Sequence, residues 1–169
     1  MALPAQLAEL AQDIATLLIE RKETVGVAES SAGGLISASL LSVPGASAYY
    51  LGGAVIYTGV SRRLLEGTLT VPEGTRGASE PFARLLAESV ATKLGATWGV
   101  SETGAAGPTG NRYGDPAGHA WVAVACPDAD GATEAFHVLT DSDDRAANME
   151  AFAAAALGLF LQNLRQRKD

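Results

Sequence analysis

The chain has 169 residues, of which 47% are hydrophobic and 18% are charged, as in globular proteins rather than disordered ones. This length fits one domain, predicted to span residues 1–169, and it is sufficient for a buried core. The formal net charge of −7 argues against the basic surface typical of nucleic-acid-binding proteins. It still allows a small anion to bind in a local pocket.

Three features of the sequence bear on the cellular location of the protein. A single cysteine, Cys126, precludes an internal disulfide and favours a reducing compartment. The first 22 residues carry acidic groups and an amphipathic repeat, which are not features of a signal peptide. The sequence contains no uninterrupted run of about 18 strongly apolar residues, which a membrane-spanning helix would require. We therefore expect a cytoplasmic protein with no membrane partner.

The first half of the chain alternates helices and strands. Apolar residues at helical spacing predict a helix over residues 5 to 21, and "TVGVAE" (24–29) is typical of a buried strand. A second helix, "LISASLLSV", is expected to stop before Pro44-Gly45. The segment "LGGAVIYT" (51–58) predicts a second strand, followed by a short turn or helix around Ser61 to Leu65.

The second half continues the alternation. Ser79, Pro81 and Gly95 mark the start and end of a helix, and "TWGVSET" (97–103) predicts a third strand. The segments "HAWVAVAC" and "TEAFHVL" indicate a hairpin with the glycine of "PDADGA" at its turn, and a long helix begins near Asp144. The pattern predicts an α/β fold, specifically a three-layer α/β/α sandwich with a mixed sheet.

Two glycine-containing loops follow strands that end at the same edge of this sheet. They are "ESSAGG", after the first strand, and "ETGAAGPTGNRYGDPAGH", after the third. Ligands of open α/β sheets usually bind at this edge. The amides of residues 31 to 34 would lie at a helix start, where they favour an anion or an oxyanion. The alternative is that both loops are purely structural and that Ser30 only caps a helix.

Metal binding has little support in the sequence. His119 and His137 lack paired-ligand spacing, and Cys126 is expected to pack in the core. We expect His137 on a strand surface, whereas His119 begins a strand beside the second loop and is a candidate to line the site. A Walker-A lysine and a G-x-G-x-x-G fingerprint are both missing from the sequence.

Several motifs in order resemble the CinA C-terminal domain family. They are "VAESSAGGLISASLLSVPGASAYYLGGAVIYT", "GAAGPTG" and "GDPAGHAWVAV", and the resemblance extends from the first helix to the last. Characterised members of that family are nicotinamide-nucleotide amidases, which convert nicotinamide mononucleotide to nicotinate mononucleotide and ammonia. The resemblance therefore implies a pyridine-nucleotide substrate, a homodimer, and hydrolysis that needs no metal or organic cofactor.

The resemblance also implies particular site residues. The family nucleophile falls on Ser30, its tyrosine on Tyr57 and its catalytic lysine on Arg62. Candidate substrate-binding residues are Glu29, Ser31, Gly33, Gly34, Thr103, Gly104, Ala106, Gly107, His119 and Arg145. Backbone amides near Ala32 to Gly34 are expected to bind the oxyanion. Glu29 has two interpretations, a buried carboxylate bonded to loop amides or a group that orients the site.

The sequence departs from the family pattern at five positions. Arg62 replaces a lysine that could act as a base, and a guanidinium is a poor proton acceptor. Ser31 replaces a cysteine and adds a second hydroxyl, while His119 replaces a threonine and is a candidate base. Near the last helix Arg145 is at best shifted, and Asn148 stands where a second arginine is usual. Two hypotheses remain open, an amidase and a binding or regulatory module without turnover.

Overall fold

Five strands and four helices form the part of the chain that the computed structural model describes, residues 2–129 and 132–167. The helices are α1 (Ala5–Arg21), α2 (Leu35–Leu41), α3 (Glu80–Leu94) and α4 (Arg145–Gln166). The strands are β1 (Val25–Glu29), β2 (Tyr50–Val55), β3 (Trp98–Ala105), β4 (His119–Ala125) and β5 (Glu134–Leu139). Two 3₁₀ turns, Ala46–Ala48 and Val60–Leu65, flank β2.

The strands form one mixed sheet in the order β2-β1-β3-β4-β5. Strand β1 is parallel to both of its neighbours, β2 and β3, whereas β4 and β5 are antiparallel additions. The carboxyl ends of β1, β2 and β3 therefore meet at one edge, where ligands of α/β sheets bind. This arrangement confirms the predicted mixed sheet.

Helices cover both faces of the sheet. On one face α1, α2 and α4 pack against apolar residues that include Val27, Val100 and Val122. On the other face α3 contributes Phe82 and Leu86, with Ala87 against β4. The predicted three-layer α/β/α sandwich is confirmed.

Element boundaries differ little from the predicted ones. Helix α3 begins as expected, with the Ser79 hydroxyl accepting a bond from the Phe82 amide at 3.4 Å, and Asp144 caps α4 through the Ala147 amide. Strand β2 ends at Val55 rather than residue 58, which releases Tyr57 from the sheet. Strand β3 continues to Ala105, so part of the predicted second loop is strand. The hairpin glycine, Gly131, lies outside the described residues.

Among the described helices, none combines the length and apolar character needed to span a membrane.

The contact between β3 and α3 can be tested at Gly99. A Cβ atom on Gly99 would overlap the backbone carbonyl of Ala87, which cannot move without distorting the helix. We expect Gly99→Ala to lower the free energy of unfolding by about 1–3 kcal/mol, as overpacking does. The matched control is Gly158→Ala in α4, where a Cβ meets open space, and it should raise stability by about 0.5–1 kcal/mol. Urea denaturation would measure both, and equal effects would contradict the packing described.

Candidate active site

A cavity of about 360 Å³ opens at the carboxyl edge of the parallel strands. Its walls come from the segments after β1 and β2, from β3, and from the loops before α3 and β4. The lining residues are Ser30, Ile56, Tyr57, Thr58, Gly59, Arg62, Gly77, Ala78, Phe82, Thr103, Gly104, Asn111, Arg112 and Tyr113.

The structure brings five of the sequence-predicted residues together in this cavity. They are Ser30, Tyr57, Arg62, Thr103 and Gly104. The remaining candidates lie outside its lining: Glu29, Ser31, Gly33, Gly34, Ala106, Gly107, His119 and Arg145. Two of these bond to residues that line it, His119 to Ala78 and Arg145 to Tyr57.

Ser30 directly follows β1 and is 8% exposed, at the cavity wall. Among the described residues, no hydrogen bond engages its hydroxyl. Helix α2 begins later, at Leu35, and its N-cap is Gly34 without a side-chain cap bond, so Ser30 does not cap it. The Ser30 hydroxyl is therefore available to a ligand in the cavity.

A buried carboxylate from β3 bonds to the turn that carries Ser30. Glu102 accepts hydrogen bonds from the Ser30 amide at 2.9 Å, the Ala32 amide at 2.8 Å and the Ser31 hydroxyl. Complete burial raises the pKa of Glu102 to about 7, although these three bonds counteract the rise. Sequence reasoning missed this residue, and the signal available was a charged residue inside a predicted strand.

Glu29 bonds to the following part of the same turn. It accepts from the amides of Gly34 at 2.7 Å, Ile36 at 3.2 Å and Ser37 at 2.9 Å. The interpretation of Glu29 as a buried carboxylate bonded to loop amides is thus confirmed.

The amides of Ala32, Gly33 and Gly34, which were expected to bind the oxyanion, already have acceptors within the chain. The Ala32 amide donates to Glu102, the Gly33 amide to the Ser30 carbonyl at 3.0 Å, and the Gly34 amide to Glu29. The second hydroxyl of the turn, that of Ser31, also donates to Glu102 and does not line the cavity.

Arg62 faces the cavity, whereas the adjacent Arg63 does not line it. The guanidinium carbon of Arg62 lies 4.6 Å from the centre of the Phe82 ring, a cation–π contact, while Arg63 is exposed. The position of the family lysine therefore holds a cation stacked on an aromatic wall.

Arg145 acts on the cavity through Tyr57. It donates to the Tyr57 hydroxyl at 3.0 Å and to the Gly107 carbonyl at 2.5 Å. Asn148, at the family's second arginine position, is buried and donates to the Ala106 and Ser142 carbonyls, both at 2.8 Å. The "GAAG" loop is therefore bonded to the start of α4.

His119 lies behind the cavity wall rather than on it. Its Nε2 atom is 2.7 Å from the Ala78 carbonyl and its Nδ1 atom is 2.8 Å from Nε2 of His137. Both ring nitrogens are therefore engaged, so the structure gives no support to His119 as a base in the cavity. His137 lies on the exposed surface of β5, as predicted, and its ring stacks on Trp121. Partial desolvation of the ring lowers its pKa.

A basic and aromatic segment near the cavity mouth was not predicted. Arg112 donates to the Tyr113 hydroxyl at 2.9 Å, and this bond lowers the pKa of Tyr113. The guanidinium of Arg76 also lies over the Tyr113 ring, 5.7 Å from its centre. The available signal was "NRYGD", an arginine and a tyrosine inside a glycine-containing loop.

Within residues 2–129 and 132–167, no group of three or more His, Cys, Asp or Glu residues is arranged so that it could hold a metal ion.

Comparison with known proteins assigns this α/β domain to a family. The sequence profile of the CinA C-terminal domain matches residues 7–164. The chain therefore belongs to the CinA C-terminal domain family.

Individual relatives agree with this assignment. A CinA-like protein of Salinibacter ruber is 42% identical over 138 residues, which is 81% of this chain and 32% of that protein. One from Chlorobaculum tepidum is 38% identical over 160 residues, which is 93% of this chain and 38% of that protein. The chain thus spans about a third of the length of these relatives.

Solved structures share the whole fold. The competence/damage inducible protein CihA from Agrobacterium tumefaciens superposes with a TM-score of 0.87 at 30% identity, covering 98% of this chain and 99% of that one. The competence damage-inducible protein A from Klebsiella pneumoniae gives a TM-score of 0.85 at 25% identity, covering 96% and 99%. The solved chains are therefore matched over nearly their whole length, whereas the longer relatives are matched over about a third of theirs.

Because the pKa of Glu102 is raised in the folded state, its contribution to the free energy of unfolding decreases as pH rises. The folded state keeps a proton that the unfolded chain releases, so this stabilisation is complete below pH 4.5 and lost as pH rises through about 7. We expect the unfolding free energy of the wild type to fall relative to that of Glu102→Gln by about 3 kcal/mol across this window. Urea denaturation at several pH values would measure the difference, with Glu150→Gln on the exposed face of α4 as the charge control. If the unfolding free energies of the wild type and Glu102→Gln changed with pH in parallel, this prediction would be contradicted.

Proposed function

We propose that this protein is an amidohydrolase that converts nicotinamide mononucleotide, or a related small amide, to nicotinate mononucleotide and ammonia. The observation that carries the proposal is the unbonded Ser30 hydroxyl at the wall of the cavity, beside Tyr57 and Arg62. Family membership supports the substrate class, since the resemblance to this family implies a pyridine nucleotide. The names of the relatives, CinA-like protein, do not specify a substrate.

The chemistry needs two steps at Ser30. Its Oγ atom loses its proton and attacks the carboxamide carbon, the C–N bond breaks, and the amide nitrogen takes up that proton and leaves as ammonia. Water then attacks the acyl-enzyme, releasing the carboxylate and restoring the serine hydroxyl. Tyr57 lines the cavity and its hydroxyl accepts from Arg145, so its proton remains available to a ligand.

Oxyanion stabilisation falls to side chains, because the amides of residues 32 to 34 are occupied. The Arg62 guanidinium supplies a permanent positive charge. The Thr103 hydroxyl accepts from the Ala78 amide at 3.2 Å and therefore keeps its own proton for donation. Arg112, also in the lining, adds a second cation suited to a phosphate group.

A second candidate is a binding module of the same fold with little or no turnover. Arg62 is the observation that favours it, because the guanidinium stacks on Phe82 and remains protonated. Among the described lining residues there is also no lysine or histidine to act as a base. Substrate binding and turnover must therefore be measured separately.

Two substitutions distinguish these functions. Ser30→Ala should abolish ammonia release from nicotinamide mononucleotide, since it removes the nucleophile. Arg62→Lys should raise the rate, by up to about 10²- to 10⁴-fold, because a lysine in a desolvated pocket can lose its proton and act as a base. Ammonia release by the purified proteins is the measurement.

Thermal denaturation provides the control for binding. Nicotinamide mononucleotide should raise the melting temperature of the wild type and of Ser30→Ala alike. A melting shift without ammonia release in the wild type and in Arg62→Lys would favour the binding module. Activity that survives Ser30→Ala would contradict the assignment of the nucleophile.

The homodimer that the resemblance implies is also a proposal. Strand β2 is an edge of the sheet and exposes Leu51 and Val55, 44% and 43% accessible, and the adjacent 3₁₀ turn exposes Val60 and Leu64. Exposed apolar residues on an edge strand are typical of association surfaces. Light scattering at micromolar concentration should report twice the chain mass, and a monomer would contradict this prediction.

A further inference from the structure

Two buried carboxylates lie side by side beneath the turn that presents Ser30. Strands β1 and β3 are parallel neighbours, and their registered pairs end at Ala28 opposite Ser101. The next residue of each strand is a glutamate, Glu29 and Glu102, and both are completely buried. Glu102 bonds to the first part of the turn and Glu29 to the second.

We propose that Glu102 is a positioning residue for Ser30, and that Glu102 and the Ser31 hydroxyl form a proton switch which controls the reactivity of Ser30. The proposal rests on the proposed role of Ser30 as a nucleophile. It adds a residue that acts through the turn without lining the cavity.

The switch follows from the hydrogen-bonding capacity of the three partners. The amides of Ser30 and Ala32 can only donate, and Glu102 accepts both through Oε2. When Glu102 is ionised, the Ser31 hydroxyl donates to Oε1. When Glu102 is protonated, its own O–H needs an acceptor, and the Ser31 oxygen is the partner already in contact. The Ser31–Glu102 bond therefore reverses, and the hydrogen of Ser31 turns to another acceptor.

The surroundings of Glu102 favour a change of charge near neutral pH. Burial raises its pKa to about 7, and the nearby charge on Glu29 of β1 adds to the rise. Helix α2 carries no charged residue, and the paired residue on β4 is Val122. Where α4 approaches this region, Met149 lies against Gly33 and Asn148 bonds to Ala106. Within the described residues, no Lys, Arg or His side chain bonds to Glu102.

The charge of Glu102 opposes the reaction at Ser30. An ionised Glu102 places a negative charge against the Ser30 amide, 2.9 Å from its nitrogen. The attack on an amide develops negative charge on the substrate oxygen, which a nearby negative charge disfavours. The form with neutral Glu102 should therefore be the more reactive one.

Glu102→Gln tests this switch because glutamine imitates the neutral acid. Its amide oxygen can accept from the Ser30 and Ala32 amides while its NH₂ group donates to Ser31. We expect kcat/KM for nicotinamide mononucleotide, measured from pH 5.5 to 9, to decline in the wild type above about pH 7 relative to Glu102→Gln. The ratio of the two should fall by about tenfold or more, and groups common to both proteins cancel in it. A ratio independent of pH would overturn the proposal.

Ser31→Ala provides a second variant in case Glu102→Gln fails to fold. It removes the Ser31 bond in both protonation states, and the charge-assisted bond to the ionised carboxylate is the stronger of the two, so neutral Glu102 should persist to higher pH. The decline in kcat/KM should therefore move to higher pH than in the wild type. A midpoint that stays in place, or moves to lower pH, would overturn the proposal. Glu150→Gln, on the exposed face of α4, serves as the control for the loss of a carboxylate and should keep the wild-type profile.

A measurement without substrate separates this proposal from the proposed function. Phenylmethylsulfonyl fluoride reacts with a nucleophilic serine: an O–S bond forms, fluoride leaves, and the hydroxyl proton passes to solvent. Intact mass would follow labelling over the same pH range, with Ser30→Ala as the blank. If ammonia release is absent but the wild-type to Glu102→Gln labelling ratio falls with pH, the switch stands and the amidase assignment falls. A constant ratio, or no labelling of Ser30 in either protein, would overturn the switch.

Discussion

The turn after β1 depends on two buried carboxylates that bond to its backbone amides. Five amides between Ser30 and Ser37 donate to Glu29 or Glu102, so the direction of the chain between β1 and α2 is set by these bonds. A buried charge is costly unless hydrogen bonds satisfy it, and here the turn supplies them. The same bonds leave the Ser30 hydroxyl facing the cavity.

The cavity has an electrostatic character opposite to that of the whole protein. The chain carries a net charge of −7, yet Arg62 and Arg112 line the cavity and Arg145 bonds to Tyr57 at its wall. The carboxylates near Ser30 lie behind the turn rather than in the cavity. The cavity therefore presents cations to an anionic ligand, while Glu29 and Glu102 bond to the backbone of the turn on its other side.

The departures from the family pattern have a structural explanation in three places. Ser31 supplies a hydroxyl to Glu102, Asn148 bonds to the "GAAG" loop, and His119 pairs with His137 behind the wall formed by Ala78. None of these three side chains lines the cavity. Arg62 differs from them, because it occupies the cavity itself and so bears directly on whether the domain catalyses a reaction.

The sequence by itself determined the order of elements, the three layers and the position of Ser30, because periodicity, caps and glycines are local signals that survive without tertiary contacts. It also indicated Tyr57 and Arg62 through the family motifs. Only the tertiary structure decided which groups the turn's amides bind, since Glu102 reaches Ser30 across 72 positions of the chain. The tertiary structure also places His119 behind the cavity wall and brings Arg145 into contact with Tyr57. Such contacts depend on how strands and helices pack, and no periodic pattern in the sequence indicates them.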